Sequence, residues 1–238
     1  MNTDTAGLVV PLWCGFFNET LDTLPEYSQK LLNVIRAEYF TWPWNRVYDF
    51  LEFVPRNDEN LEKDVFMEFC NKVLEEKKSA YRFVSGLITP ITDEVEVESI
   101  ETAIKRASPL SGVKAHIREA LAKLSDRDKP DYRNSIKESI SAVEALLQTI
   151  AGKPNAKFST ALNAVGQKIQ LHKALAEALS HLYGYTSNEK GIRHGMHEEL
   201  SQTFGGAKFM LALCTAFVNY LIIRCGERGI ALTENQKR

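Results

Sequence analysis

From Tyr132 onward the apolar residues Ile136, Ile140, Val143, Leu147 and Ile150 recur every three or four positions, which puts them on one face of a helix. Gly152-Lys153-Pro154 then supplies its stop. The same reading predicts helices over 159–170 and 172–183, the second carrying Leu175, Leu179 and Leu182 at core spacing. Positions 207–225 are apolar on nearly every side except a narrow stripe of Lys208, Thr215 and Asn219. A helix of that kind is expected at the centre of a bundle, with Phe217 enclosed. These pieces predict an antiparallel helical bundle.

Upstream, Ser111 is expected to cap a helix that runs to about Leu124, and Asp93 with Glu96 three residues on forms a capping box for a helix reaching Arg106. Between 81 and 91 the run YRFVSGLITPI alternates about Ser85-Gly86, the pattern of one short β-hairpin. A further helix is expected near 59–78, and the ring-rich stretch EYFTWPWNRVYDFLEFV over 38–54 should build a core. The fold class is therefore all-α: a helical bundle with an N-terminal helical region and at most one hairpin. The polar connector SDRDKPD sets the expected boundary, giving domains 1–126 and 127–238.

Composition narrows the function classes. With 238 residues, 44% hydrophobic and 25% charged, the chain has the balance of a soluble globular protein. Its formal net charge of −2 provides no global basic field, so nucleic-acid binding has to come from a local patch. The cysteines at 14, 70, 214 and 225 form no CxxC pair, which suggests neither a zinc site nor a disulfide framework and fits a cytoplasmic setting. No basic leader opens the sequence, and the apolar run 209–223 is short for a membrane span and carries Thr215 and Asn219; no membrane association is expected.

The chemistry concentrates in GYTSNEKGIRHGMHEE, Gly184 to Glu199. Arg193, His194 and His197 lie within five residues, held by Gly191 and Gly195, which permit unusual backbone conformations. An arginine fork matches phosphate oxygens, and imidazole both takes and gives a proton near neutrality. Together they form the minimal set for cleaving RNA without a metal: a base for the 2′-hydroxyl, an acid for the leaving oxygen and a cation for the phosphorane. The bland alternative pairs Arg193 with Glu144 or Glu198, has His194 cap a helix end and leaves His197 merely exposed. Two histidines alone fix no metal, and no cofactor is expected. Lys190 and Arg133 are candidate RNA-binding cations, with Lys173 and Lys137 on neighbouring helix rims. His116 and His181 sit beside core positions and are left outside the site.

The succession YRFVSGLITPITDE, YRNSIKESISAVEAL, LYGYTSNEKGIRHG and AKFMLALCTAFVNYL, preceded by PLWCGFF through VYDFLEFV, resembles the AbiJ-like abortive-infection proteins of the bacterial HEPN superfamily. The resemblance implies a HEPN-type bundle in phage defence, often dimeric, with metal-independent RNA cleavage in active members. Those members carry an arginine, commonly followed by a polar residue such as asparagine, then roughly four to six residues, then a histidine. Aligning His194-Gly195 with the histidine position puts Asn188 on the asparagine and Ser187 where the arginine stands. Aligning Arg193 with the arginine instead brings His197 one residue too early.

The first alignment is preferred because it keeps both the asparagine and the His-Gly dipeptide. The expected site is thus Arg193, His194, His197 and Asn188, acting on single-stranded RNA with no DNA specificity. A homodimer would double this sparse set of groups, and a partner protein of a defence system could complete it. The competing expectation is a non-catalytic module that binds RNA, a nucleotide or a protein through the same loop.

Overall fold

The computed structural model describes residues 6–25, 28–187 and 203–232, whose regular elements are helices apart from one two-stranded antiparallel sheet. The chain divides into two compact units, Met1–Pro90 and Ile91–Arg238. The polar connector at 125–131, where the domain boundary is expected, lies within the second unit, between two helices that pack on each other.

In the first unit, α1 (Ala6–Val10) continues into a π-helical turn, Pro11–Phe16, followed by α2 (Ser28–Tyr39), α3 (Trp44–Asn57) and α4 (Lys63–Glu76). The aromatic stretch does build a cluster, and Phe16 joins it: its ring lies 5.4 Å from each of Trp42, Phe50 and Phe53. The Arg46 guanidinium covers Phe16 at 5.0 Å and Trp42 at 5.3 Å, a geometry in which the cation meets the negative face of each ring. Phe40 and Trp44, from the same stretch, are exposed.

Strands β1 (Arg82–Val84) and β2 (Leu87–Thr89) pair Phe83 with Ile88 across a turn in which Ser85 and Gly86 have φ of 52° and 91°. Both central residues are left-handed, as a two-residue turn matched to strand twist requires. A hairpin this short is marginal alone, and two side chains hold it. Asn71 of α4 accepts from Phe83 N at 2.6 Å and donates to Phe83 O at 3.0 Å. Buried Glu52 of α3 accepts from Ile88 N at 2.6 Å.

The second unit comprises α5 (Glu94–Arg106), α6 (Ser111–Ser125), α7 (Tyr132–Ala151), α8 (Phe158–Ile169), α9 (Lys173–Ser187) and α10 (Phe204–Glu227). Asp93 caps α5 through Glu96 N at 3.0 Å, and Asp131 caps α7 through Asn134 N at 3.0 Å. Ser111 proves to be the first residue of α6; the capping position is occupied by buried Leu110, whose side chain makes no cap. Helix α7 is the hub and packs on α6, α8, α9 and α10. Its small residues allow close approach to α6, where buried Ser135 donates to Ala120 O at 2.8 Å. Gly152, at φ 67°, ends it.

Among the described residues α10 is the one helix long and apolar enough, by length and composition, to cross a membrane. Its packing is that of a bundle helix. Ala207, Met210, Leu211, Cys214, Val218, Leu221 and Cys225 are buried, and the helix packs against α5, α6 and α7. Its polar groups reach the neighbouring helices: Lys208 pairs with Glu96 at 2.6 Å, Asn219 donates to Ser99 O at 2.9 Å, and Arg224 donates to Ile169 O at 3.1 Å. The expectation of a fully enclosed helix is corrected, since Phe209 and Ile223 remain 59% and 44% exposed and Phe217 is half-buried. Thr215, assigned to the polar stripe, is buried and satisfies its hydroxyl on Leu211 O at 2.9 Å, one turn back.

Candidate functional site

Asn188, Lys190, Arg193, His194 and His197 lie outside the described residues. What the structure supplies is the frame that carries them. Helix α9 runs on to Ser187, so Gly184, Tyr185 and Thr186, expected in the loop, are helical. Helix α10 begins at Phe204, capped by the Thr203 hydroxyl, which accepts from Gly206 N at 3.2 Å.

Both flanking helices rest on α7. On the α9 side, Leu179 and Thr186 are buried, and Tyr183 stacks on Phe158 of α8 with centroids 4.0 Å apart and planes 14° from parallel. Leu175 and Leu182 are only half-buried. At the other end, Phe204 meets Tyr132 edge-on at 6.2 Å, so the start of α10 adjoins the start of α7. Arg133 follows Tyr132 in that first turn and is the one proposed RNA-binding cation that the structure describes. It belongs to the charge field of Asp131, whose carboxyl titrates below its ordinary range. Burial pushes that carboxyl upward, but hydrogen bonds from Asn134 and the charges of Lys123 and Arg133 prevail.

His116, absent from the expected site, forms a dyad with Glu138: Nδ1 lies 2.6 Å from Oε2, joining α6 to α7 at a partly exposed rim. Sequence gave no sign of this because the partners are 22 residues apart on different helices. His172 has a local role, its Nδ1 accepting from Ala174 N at 3.2 Å at the head of α9. Lys173 forms a loose surface pair with Glu177 at 3.7 Å. Such pairs contribute little.

Three of the described cysteines, Cys70, Cys214 and Cys225, are buried and make poor nucleophiles. Full burial pushes the Cys214 thiol up to about 12, and burial raises Cys70 and Cys225 as well, which disfavours the reactive thiolate. Among the described residues no three His, Cys, Asp or Glu side chains converge as metal ligands.

The model of AbiJ N-terminal domain 4 matches residues 9–106, which take in the first unit from Val9 and extend through the last residue of α5. The match supports an AbiJ-like protein associated with abortive infection. No curated protein matches the chain, and no solved structure does.

Proposed function

We propose that this is an antiphage defence protein whose second unit is a HEPN-like bundle cleaving single-stranded RNA without a metal. His194 transfers the proton, Arg193 stabilises the phosphorane, and Asn188 and His197 stand beside them, with Lys190 and Arg133 holding the RNA backbone. The observation that carries the reading is the match to AbiJ N-terminal domain 4, joined in one chain to a bundle whose α9 and α10 both pack on α7 and flank the Gly-Ile-Arg-His-Gly sequence. The defence setting comes from the match; the chemistry comes from the residue types in that segment.

A homodimer suits this chemistry, because a second copy doubles the cations and imidazoles available to one phosphate. Phe209, Ala216 and Ile223, spaced by seven along α10 and all exposed, offer an apolar stripe for such pairing. Light scattering at micromolar concentration should report a dimer, and a strictly monomeric protein would count against it.

The test is incubation of the purified protein with single-stranded RNA in EDTA. Cleavage is expected, with DNA resistant and His194→Ala slower by roughly 10²- to 10⁴-fold. A second reading, a non-catalytic binding module, draws support from Ser187: where active relatives of this type carry arginine, the chain has the last residue of α9. Restoring arginine with Ser187→Arg should boost a weakened nuclease and leave a binding module silent. If wild type and Ser187→Arg both leave RNA intact, the nuclease reading is wrong.

A further inference from the structure

Away from the Gly-Ile-Arg-His-Gly segment, the first unit sets an exposed indole in an aromatic triad against the turn that carries three cations, none of them in an ion pair among the described residues. Trp44 opens α3 and is 57% exposed. The rest of its ring is held by a triad, lying 5.6 Å from both Tyr48 and Tyr81, which are themselves 5.2 Å apart. The Tyr48 hydroxyl is 3.0 Å from Ser79 Oγ, and the same Ser79 oxygen accepts from Tyr81 N at 3.2 Å. These bonds fix the triad against the turn that leaves α4.

That turn carries Lys77, Lys78 and, after Tyr81, Arg82. Lys78 sits in the left-handed region at φ 55°, while Ser79 N donates to Leu74 O at 2.8 Å and Lys78 N to Glu75 O at 2.8 Å, closing the end of α4 as a built turn. Arg82 Nη1 donates to Ser79 O at 2.9 Å and Tyr81 O at 2.8 Å, folding the guanidinium back over the turn. Among the described residues none of these three cations forms an ion pair. Residues 1–90 carry 9 Lys and Arg against 14 Asp and Glu, so unpaired cations gathered at one turn run against the charge of their own unit.

We propose that this surface binds a nucleotide unit of single-stranded nucleic acid, with its base stacked on Trp44 and its phosphate held by Lys77 and Lys78. An exposed indole offers any base a π-face, and adjacent ammonium groups supply the phosphate attraction; this pairing is the physical basis of binding to single strands without sequence preference. Arg82 adds positive charge at the same turn but has committed one nitrogen to the backbone, so it sets the local field more than it grips the ligand. The site lies wholly within the first unit. It does not depend on RNA cleavage.

The experiment uses the full chain with a fluorescein-labelled oligoadenylate bearing 2′-O-methyl sugars, which 2′-hydroxyl chemistry cannot cleave, read by anisotropy and by quenching of tryptophan fluorescence. Wild type should bind and be quenched, and Trp44→Ala should weaken binding by about 5- to 100-fold. Trp44→Phe, which keeps an aromatic face, should recover most of it. The Lys77→Ala/Lys78→Ala double variant should bind more weakly and respond less steeply to salt. Competition by AMP as strong as by unlabelled oligomer would identify a free nucleotide as the ligand; weak competition would identify the strand. Equal affinity for wild type and Trp44→Ala, each shown folded by circular dichroism, overturns the proposal. So does a wild type that binds neither the oligomer nor AMP.

Discussion

Glu52 and Ile88 are 36 residues apart, yet the Glu52 Oε1 carboxylate oxygen accepts the Ile88 backbone N–H at 2.6 Å inside the first unit. A buried carboxylate survives there because it is bonded on both sides. Its second oxygen faces Arg56 Nη2 at 3.4 Å. Glu52→Ala removes the acceptor and should destabilise the protein by about 1 to 3 kcal/mol, since a buried donor then loses its partner. Glu52→Gln, which keeps a carbonyl oxygen, should lose less in urea unfolding; equal losses would mean that the bond to Ile88 is not what holds the hairpin.

Asp131 offers a second measurable link, between a helix cap and pH. Its carboxyl accepts from Asn134 N and is held below its ordinary value of 3.8. A depressed value in the fold means a stabilising contribution that is present above pH 3.8 and is lost as pH falls through the lower, folded value. Asp131→Ala should cost about 0.5 to 2 kcal/mol at neutral pH. Asp131→Asn should retain much of the cap while removing this part of the acid sensitivity, read from unfolding midpoints across the acid range.

Leu211 and Phe217, on the same helix, should respond oppositely to their side-chain sizes. Leu211 is fully buried, so Leu211→Ala should cost about 2 to 5 kcal/mol through lost contacts and a cavity. The larger Phe217 is only half-buried, and Phe217→Ala should cost less. The reverse order in chemical denaturation would place the α10 core on the wrong face.

Cysteine labelling tests the burial directly. Cys14, partly exposed, should react first with a thiol reagent, and Cys214 should stay protected until the protein unfolds. Because burial lifts Cys214 from 9.0 to about 12, the folded state keeps its proton where the unfolded chain releases it. The associated stability is complete below pH 9 and declines as pH rises toward 12. Rapid labelling of Cys214 at neutral pH in the native protein would contradict its placement.

The two histidines of the proposed nuclease loop can be told apart by substitution. His197→Ala should impair cleavage less than His194→Ala if His194 holds the catalytic position, and equally if Arg193 and His197 form the pair. Arg193→Lys should fail nearly as badly as Arg193→Ala, because lysine keeps the charge but loses the planar fork.

Local patterns by themselves determined the elements. The 3.6-residue spacing of Ile136, Ile140, Val143, Leu147 and Ile150 produced α7 with that face buried, and Ser85-Gly86 produced the hairpin turn. Asp93 produced its cap three residues upstream of the amide it binds. Each of these signals is written within a few neighbouring positions, which is why it could be read without the fold. Of the candidate site, sequence supplied the residue types between 188 and 202, and tertiary structure supplied their mounting: α9 extended to Ser187, with both flanking helices seated on α7.

Only tertiary structure decided which side of α10 is covered. A helix apolar all round carries no periodic signal, so the burial of Leu211 and the exposure of Phe209 follow from where α5, α6 and α7 lie. The same holds for Glu52 with Ile88, His116 with Glu138, and the Trp44, Tyr48 and Tyr81 triad. It holds too for the division after Pro90, which no run of polar residues marks. Contacts between distant positions depend on how helices pack, and packing energy is a property of paired surfaces that no single stretch of chain contains.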